Sequence, residues 1–261
     1  MPGPLRAIFD EDADLYASAR PGYPGELFAD VFDLAGLGPG ARVLEIGPGT
    51  GQATVALASR GCSVVGVELG ASLAATLGRV AEGLPVEVVV GAFEDYALPP
   101  QPFDAVAAFT AWHWVTPGAR LTHTRAALRA RGSLITVTTE HVLGGTEQFF
   151  ADAQRCYERW DPDTPAGLRL RPSDEIPPAI DEVDTSELFE PALRRRYHQD
   201  VTYSTRGYLD LLHTYSGHRA MTRDQRSGLM SCLGHLIDTA YRGTVTKRYL
   251  YELRVAHRRA G

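Results

Sequence analysis

The chain contains 261 residues, of which 44% are apolar and 9% aromatic, a composition typical of a globular protein with a sizeable hydrophobic core. Its 26 Lys and Arg residues are outnumbered by 32 Asp and Glu residues, so the net charge is -6. Because a negatively charged chain is repelled by a polyanion, the charge argues against nucleic acid as the general partner.

The predicted elements fall into four parts of a single domain covering residues 1–261. Residues 1–39 form an N-terminal helical arm, in which two helical patterns are separated by the turn Arg20-Pro21-Gly22-Tyr23-Pro24. Residues 40–140 alternate short β-branched runs with helical patterns, as a parallel α/β sheet does. Residues 141–245 are mostly helical with one strand, and residues 246–258 alternate in polarity like a closing strand.

These patterns predict an α/β fold, namely a Rossmann-like, doubly wound sheet of seven strands. A helical lid would be built from the N-terminal arm and from insertions after the fifth and sixth strands. The helix before the fifth strand is predicted to run from residue 117 to 130. The predicted strands cover residues 41–46, 63–68, 86–90, 103–109, 133–138, 195–203 and 247–257.

Cysteines, metal ligands and apolar runs limit the class of protein further. Cys62, Cys156 and Cys232 are far apart and odd in number, so neither a disulfide framework nor a zinc site is expected. The acids and histidines show no metal-ligand spacing, so we expect no metal. No run approaches the roughly 18 apolar residues of a membrane span, and the N-terminus has no apolar leader. We therefore expect a cytoplasmic protein without a membrane partner, either a monomer or a homodimer.

The arginines near the C-terminal end of the chain are interpreted as solvated charges on strands. They are Arg194 to Arg196 and the basic end Arg254, Arg258 and Arg259. The alternative is that one inward-facing arginine among them anchors a carboxylated substrate. Only one residue of the chain, Lys247, is a lysine. We interpret this preference for arginine as a signature of GC-rich coding sequence.

The sharpest feature is Val43-Leu44-Glu45-Ile46-Gly47-Pro48-Gly49-Thr50-Gly51, where a strand ends in closely spaced glycines and a helix begins. Such a turn lets a ligand lie directly on the backbone, and the helix start offers free N–H groups. Glu45 stands just before the first glycine, where a carboxylate would repel a pyrophosphate and attract a cationic ligand. Glu68 closes the second strand, where an acid can hydrogen-bond both hydroxyls of a ribose. The site therefore suits an adenosine with an amino-bearing, uncharged or cationic tail better than a nicotinamide dinucleotide.

With these residues the chain resembles the class I S-adenosylmethionine-dependent methyltransferases. The glycine motif, Glu68, the segment Gly91-Ala92-Phe93-Glu94-Asp95 and the strand start Phe103-Asp104-Ala105-Val106 stand in the order of that family. A second resemblance is to its small-molecule branch of trans-aconitate methyltransferase-like (methyltransferase type 11) enzymes. It is carried by three further segments: Phe9-Asp10, residues 16–24, and His113-Trp114-Val115.

The resemblance implies that S-adenosyl-L-methionine is the cofactor and S-adenosyl-L-homocysteine its product. Glu68 would hold the ribose hydroxyls, Glu94 or Asp95 the exocyclic amine of adenine, and Arg20 the methionine carboxylate. The expected cofactor-binding residues are Tyr16, Arg20, Glu45, Gly47, Gly49, Thr50, Gly51, Gln52, Glu68, Leu69, Ala92, Phe93, Glu94, Phe109, Thr110 and Ala111. Tyr16 and Arg20 have an alternative role in pinning the arm to the domain.

His113 is the candidate catalytic residue. It follows the fourth strand, at the edge where open α/β sheets bind ligands, and an imidazole has a pKa near neutrality that suits a general base. The alternative is that His113 orients a backbone carbonyl or packs against the cofactor. The expected substrate-lining residues are Tyr23, Trp112, Trp114, His141 and Tyr215.

The leading hypothesis for function is methyl transfer to a small-molecule acceptor, such as a carboxylate or a natural-product intermediate. A carboxylate needs no base, whereas a phenol, an amine or an enolisable carbon must lose a proton. One alternative is non-methylating chemistry with the same cofactor, such as a cyclisation or an elimination. Another is a nucleotide-binding regulator without turnover.

Overall fold

The computed structural model describes residues 12–260 of the chain. The first residues of the predicted N-terminal arm lie outside the described residues, as do Phe9 and Asp10 of the resemblance to the small-molecule branch. In the described part, no helix is long and apolar enough to cross a membrane.

Seven strands form one sheet in the order β3-β2-β1-β4-β5-β7-β6, so the predicted α/β, doubly wound, seven-stranded architecture is confirmed. The strands β1 to β5 run parallel, and β7 pairs antiparallel with both β5 and β6. The central strands are buried on both faces, which explains their nearly continuous apolar sequence. The strands are β1 Arg42–Ile46, β2 Ser63–Glu68, β3 Val86–Val90, β4 Phe103–Phe109, β5 Leu128–Gly145, β6 Leu193–Ser204 and β7 Thr244–His257.

Helices cover both faces of the sheet and also build the lid. The helices are α1 Ala13–Ala19, α2 Gly25–Ala35, α3 Gln52–Ala58, α4 Ala71–Val80, α5 Ala119–Ala127, α6 Glu147–Trp160, α7 Glu182–Thr185, α8 Thr205–His213, α9 Ser216–Ala220 and α10 Arg223–Ala240.

The fifth strand is much longer than the predicted span of residues 133–138, and the helix before it is shorter than predicted. Helix α5 ends at Ala127, and β5 then runs from Leu128 to Gly145. The reason is that β7 pairs with β5 from Ser133↔His257 to Gly145↔Lys247. Antiparallel pairing with a distant segment extends the strand beyond its own local pattern, which ends at Thr138.

The lid consists of α1 together with the helices α6, α8, α9 and α10. Helix α1 packs against α4 of the core and α8 of the lid, while α6 packs against α10. A disulfide joins Cys156 on α6 to Cys232 on α10, 76 residues apart. The expectation that these cysteines form no disulfide is therefore wrong, because the packing of α6 on α10 brings together residues that are remote in sequence. Cys62 is a free, buried thiol.

The C-terminal arginines are not all solvated, and Arg254 is the clearest exception. Its side chain is 3% exposed and makes a bidentate contact with Asp181, with both N···O distances at 2.9 Å. A further 2.9 Å bond joins it to Asp184, which also pairs with Arg194. The interpretation of Arg194 and Arg254 as solvated charges is wrong, since Asp181 and Asp184, at the start of α7, cover this face of the sheet. Both acids belong to the loop-like segment of residues 164–191, called the 164–191 loop, which connects α6 to β6.

Candidate active site

A cavity of about 370 Å³ lies at the carboxyl ends of β1, β2 and β4, within the usual size range of small-molecule sites. Parallel α/β sheets bind their ligands at this edge, where strands end and helices begin. Helix α1 and the junction between α8 and α9 close the cavity from the lid side. Its lining residues are Tyr16, Arg20, Pro21, Tyr23, Ile46, Gly47, Gly49, Gln52, Val67, Glu68, Leu69, Leu73, Gly91, Phe93, Phe109, Thr110, Ala111, His113, Trp114, Val115, Thr139, Tyr215, Ser216, Tyr249 and Tyr251.

The glycine turn after β1 forms the floor of this cavity. Gly47 and Gly49 both have φ of 59°, a left-handed conformation that glycine adopts without a steric penalty. A Cβ atom at Gly47 would lie 2.9 Å from the Cβ of Ala111, which is closer than two carbons can approach. The turn therefore requires glycine for its own shape and leaves bare backbone facing the cavity.

Glu68 ends β2 in the cavity wall, where it is 7% exposed. One carboxylate oxygen accepts the backbone N–H of Gly49 at 2.9 Å, and the other accepts that of Gly70 at 2.8 Å. These bonds fix the carboxylate between the glycine turn and the start of α4. A carboxylate held at this position can accept hydrogen bonds from two neighbouring hydroxyls of a ligand.

Glu45 lies beneath the glycine turn and does not line the cavity, in contrast to its expected contact with the cofactor. It is 1% exposed, and the hydroxyl of Thr54 donates a 2.6 Å hydrogen bond to it. Burial raises the pKa of Glu45 to about 7, and the Thr54 hydrogen bond only partly opposes this effect. Its charge would act on a bound ligand through the turn rather than by direct contact.

We expect Glu45→Gln to remove a pH dependence of stability. Because the folded state raises this pKa from 4.5 to about 7, the folded state holds the proton more tightly than the unfolded state. The contribution is complete below pH 4.5 and is lost as the pH rises through about 7. The pKa rises by about 2.5, and at about 1.4 kcal/mol per pKa unit the wild type should thus lose about 3.5 kcal/mol of unfolding free energy relative to the variant.

Urea unfolding of both proteins at a series of pH values from 4.5 to 8 measures this difference. Gln keeps the side-chain shape and an oxygen that can accept from Thr54, so the comparison isolates the ionisable proton. A constant difference between the two proteins across this range would show that Glu45 stays ionised in its buried position.

The N-terminal arm places Tyr16 and Arg20 over the cavity. The Arg20 guanidinium lies 5.1 Å from the Tyr16 ring centre and 4.5 Å from the Tyr215 ring centre, and it donates a 3.0 Å bond to the carbonyl of Thr214. Its Nε is buried and has no hydrogen-bond partner among the described residues. An unsatisfied guanidinium N–H in a cavity wall fits an anionic ligand group, such as the carboxylate that the resemblance assigns to it.

A chain of hydroxyls crosses the end of β4. Tyr23 Oη lies 3.2 Å from Thr110 Oγ1, which lies 2.9 Å from Thr139 Oγ1 on β5. Thr110 has φ of 58°, a left-handed conformation that is uncommon for a threonine and is held here by its neighbours. The three residues line the cavity and can orient a polar group of a small molecule.

Most of the predicted site residues lie together around the cavity. His113 is among them, and burial together with the Arg120 charge lowers its pKa, so the imidazole is uncharged at neutral pH. The predicted residues that line the cavity are Tyr16, Arg20, Tyr23, Gly47, Gly49, Gln52, Glu68, Leu69, Phe93, Phe109, Thr110, Ala111, His113, Trp114 and Tyr215. Those that do not line it are Glu45, Thr50, Gly51, Ala92, Glu94, Trp112 and His141.

The larger expected residues that do not line the cavity are each held elsewhere by specific contacts. Trp112 is buried, its indole N–H donating to Asp181 at 3.1 Å. His141 packs edge-on against Phe150, and burial with the nearby Lys247 charge lowers its pKa to about 2. Glu94 accepts two 3.1 Å bonds from Thr116 and so caps the loop after β4.

The small residues outside the lining belong to the framework of the turns. Thr50 is 4% exposed, and its hydroxyl donates to Gln52 at 3.2 Å. A Cβ at Gly51 would lie 2.7 Å from Leu77 on α4, so this glycine serves close packing rather than ligand access. Ala92 is the N-cap of the turn at Phe93–Asp95.

Residues of β5 and β7 also line the cavity, and the sequence did not predict their part in the site. Tyr249 and Tyr251 line the cavity, and Thr139 joins them from β5. A signal was present, because Lys247, Tyr249 and Tyr251 recur at every second position of the closing strand and therefore share one face. The alternating pattern shows that these side chains lie on the same face of the strand, but it does not show whether that face lines a cavity.

Comparisons with known proteins agree with the geometry. Residues 43–132 match the methyltransferase domain family. An uncharacterized methyltransferase of Mycobacterium tuberculosis is 33% identical over 127 residues, which are 48% of this chain and 49% of that protein. The chain spans about half the length of the curated relatives it matches.

Solved structures share the fold at low sequence identity. One is phosphoethanolamine N-methyltransferase 2 of Haemonchus contortus with phosphomonomethylethanolamine and S-adenosylhomocysteine, at a TM-score of 0.54 and 17% identity over 98% of this chain and 60% of that one. Another is the S-adenosylmethionine-dependent methyltransferase of Thiobacillus denitrificans with S-adenosylhomocysteine, at a TM-score of 0.53 and 16% identity over 95% and 97%. The family match and the relative confirm the predicted resemblance to methyltransferases, and the solved structures show the class I fold, while the trans-aconitate-like branch is not specified.

Proposed function

We propose that this chain, whose core carries the class I methyltransferase fold, is an enzyme that uses S-adenosylmethionine to methylate a small molecule. The observation that carries the proposal is the junction of Glu68 and Gly49, where a buried carboxylate and a bare glycine turn form one wall of the cavity. Glu68 in this wall fits a ribose, and Glu45 beneath the turn is unfavourable for a pyrophosphate.

Residues of the chain fit each part of the nucleoside. Glu68 would accept the ribose hydroxyls, and Leu69 and Phe93 would contact the adenine ring. Arg20 would bind the methionine carboxylate through its unpartnered Nε. The cofactor, when bound, supplies a methyl group on a positively charged sulfur, which is already activated for transfer.

The protein's own contribution is to orient the acceptor and to exclude water. The aromatic residues Tyr23, Phe109 and Tyr251 pack on one another, with ring centres 5.2 and 5.4 Å from Tyr23. They close the end of the cavity beside the hydroxyls of Thr110 and Thr139. Such an enclosed site suits a small acceptor rather than a protein or a nucleic acid.

Calorimetric titration with S-adenosylmethionine, S-adenosylhomocysteine and NADH tests the cofactor. We expect the two sulfur nucleosides to bind and NADH not to bind, because of the acids at the glycine turn. Binding of NADH alone would overturn the proposal, and the glycine turn would then be interpreted as the dinucleotide site of an oxidoreductase.

Product mass then separates the possible uses of the cofactor. Methyl transfer adds the mass of one CH₂ group to an acceptor taken from a panel of small carboxylic acids, phenols and amines. A cyclisation or an elimination changes the substrate without that increment. A nucleotide-binding regulator would bind S-adenosylmethionine and consume none of it with any member of the panel.

A further inference from the structure

The only lysine of the chain, Lys247, is buried behind the cavity wall. Lys247 is 4% exposed, and its Nζ donates a 2.7 Å hydrogen bond to Tyr215 Oη. The ammonium also lies 4.9 Å from the Tyr215 ring centre and 5.0 Å from that of Tyr249. Within residues 12–260 it forms no salt bridge with a carboxylate. A buried ammonium is costly unless an anionic group compensates it, and the nearest candidate is the phenol oxygen.

Tyr215 itself lines the cavity, at the residue that caps α9. The Arg20 guanidinium stacks over its ring at 4.5 Å, so two cations from α1 and β7 act on one phenol. No carboxylate is among the groups that face it from the described elements. The titratable and charged groups around it are Lys247, Tyr249 and Tyr251 on β7, Tyr16 on α1 and Arg20 at its end, Tyr203 on β6, Tyr157 on α6, Tyr208 on α8 and His218 on α9.

The electrostatics of Tyr215 differ from those of every other tyrosine. Burial raises its pKa, but the charges of Lys247 and Arg20 outweigh burial, so that the pKa falls below the usual value of 10. The chain has 11 tyrosines, and the pKa of each of the others is raised, with burial as the first cause. His218, which stacks on Tyr215, has its pKa lowered by burial to about 4 and is uncharged at neutral pH.

We propose that Tyr215 is the catalytic base of this site, that Lys247 is the positioning residue behind it, and that the acceptor is a phenolic hydroxyl. The inference rests on the proposed function. In the step, Tyr215 starts as the phenolate that Lys247 holds, the acceptor proton passes to Tyr215 Oη, and a lone pair of the acceptor oxygen forms the new bond to the methyl carbon. The carbon–sulfur bonding pair stays on sulfur, which becomes an uncharged thioether. The proton on Tyr215 is released to solvent before the next turnover.

The charges near Tyr215 select this acceptor over the other small-molecule classes. Lys247 and Arg20 would repel an ammonium group, which disfavours amines. A carboxylate is already ionised at neutral pH and leaves a base without a role. A phenol keeps its proton at neutral pH and must lose it on methylation, and a base whose pKa is shifted toward the operating pH, as that of Tyr215 is, suits this task. The rings of Tyr23, Phe109 and Tyr249 give a planar acceptor aromatic surfaces to pack against.

An ultraviolet pH titration of tyrosinate tests the base without any acceptor. We expect the wild type to show one tyrosine that ionises at lower pH than all the others. This component should vanish in Tyr215→Phe and shift to higher pH in Lys247→Met, which removes the charge and retains most of the side-chain length. Tyr96→Phe, at a tyrosine that does not line the cavity, is the matched control and should leave the component unchanged. A wild type without the early component, or a component that survives in Tyr215→Phe, would overturn the proposal.

Turnover with the panel of phenols, amines and carboxylic acids tests the acceptor. We expect methylated phenols, and we expect kcat of Tyr215→Phe to fall at least about a hundredfold, which is the lower end for loss of a general base. The acid limb of the wild-type pH profile should move to higher pH in Lys247→Met. A panel that yields no phenol ether, or a Tyr215→Phe variant with wild-type kcat, would overturn the inference.

Calorimetry on the same variants separates the two proposals. If Tyr215→Phe and Lys247→Met still bind S-adenosylmethionine, the loss of turnover reports on the base rather than on the cofactor site. If the wild type binds no S-adenosylmethionine, the proposed function fails, whatever the tyrosinate titration shows.

Discussion

Replacing Glu68 with Ala is expected to weaken the binding of S-adenosylmethionine by about 100-fold to 10,000-fold. The carboxylate would bond two ribose hydroxyls, and a hydrogen bond to a charged group contributes roughly 1.5–3 kcal/mol. At about 1.4 kcal/mol per factor of ten, loss of both bonds gives this range. The variant also releases the N–H groups of Gly49 and Gly70, which Glu68 holds at 2.9 and 2.8 Å, so the turn loses its support.

Calorimetric titration of three variants measures the effect and its origin. Glu68→Gln keeps one oxygen acceptor and should fall between the wild type and Glu68→Ala. Glu82→Ala removes an exposed acid just after α4 and should bind like the wild type. A Glu68→Ala protein with a normal melting temperature and unchanged affinity would show that the nucleoside does not contact this strand end, and the proposed site would be wrong.

The core of the fold could be predicted because its signals are local. The strands β2, β3 and β4 match the expected boundaries, since short β-branched runs between turn residues have one simple interpretation. The length of β5 could not be predicted, because residues beyond Thr138 become a strand only through pairing with β7, more than a hundred residues later. The disulfide between Cys156 and Cys232 could not be predicted either, because it depends on the packing of α6 against α10.

The residues of the site likewise fall into those that a local sequence signal predicts and those that only folding brings together. The glycine turn and Glu68 could be predicted, since both are encoded in contiguous segments with a fixed spacing. Lys247 could not be assigned, because its partner Tyr215 lies on a different element and meets it only in the folded chain. Glu45 is a third case. Its place beside the glycine turn could be predicted, but its burial beneath the turn could not, since the sequence of a strand buried on both faces does not reveal which side chains reach the cavity.

Replacing Arg254 with Met is expected to lower the free energy of unfolding by about 3–5 kcal/mol, the range for removing one partner of a buried ion pair. Arg254 is 3% exposed and bonds Asp181 through two nitrogens, both at 2.9 Å. Without it, Asp181 and Asp184 remain close together with reduced compensation, and Asp181 also anchors the indole of Trp112. The loss should therefore loosen the 164–191 loop together with the start of the segment after β4.

The pH dependence of this loss gives the sharper test. Burial alone would raise the pKa of Asp181, but the hydrogen bonds and charge of Arg254 hold it below the usual value of 3.8. A lowered folded-state pKa contributes stability that is complete above the unfolded-state pKa and is lost as the pH falls through the folded-state value. The wild-type advantage over Arg254→Met in urea unfolding should thus be full at neutral pH and shrink below pH 3.8.

Two further variants identify the cause of the effect. Arg254→Met combined with Asp181→Asn removes both charges of the pair and should recover part of the lost stability. Arg195→Met removes an exposed arginine from the neighbouring strand β6 and should change stability by no more than about 0.5 kcal/mol. An equal loss for Arg254→Met at pH 3 and pH 7 would assign the effect to packing of the arginine stem rather than to its charge, because packing of the stem does not depend on pH whereas the charge of Asp181 is lost in acid.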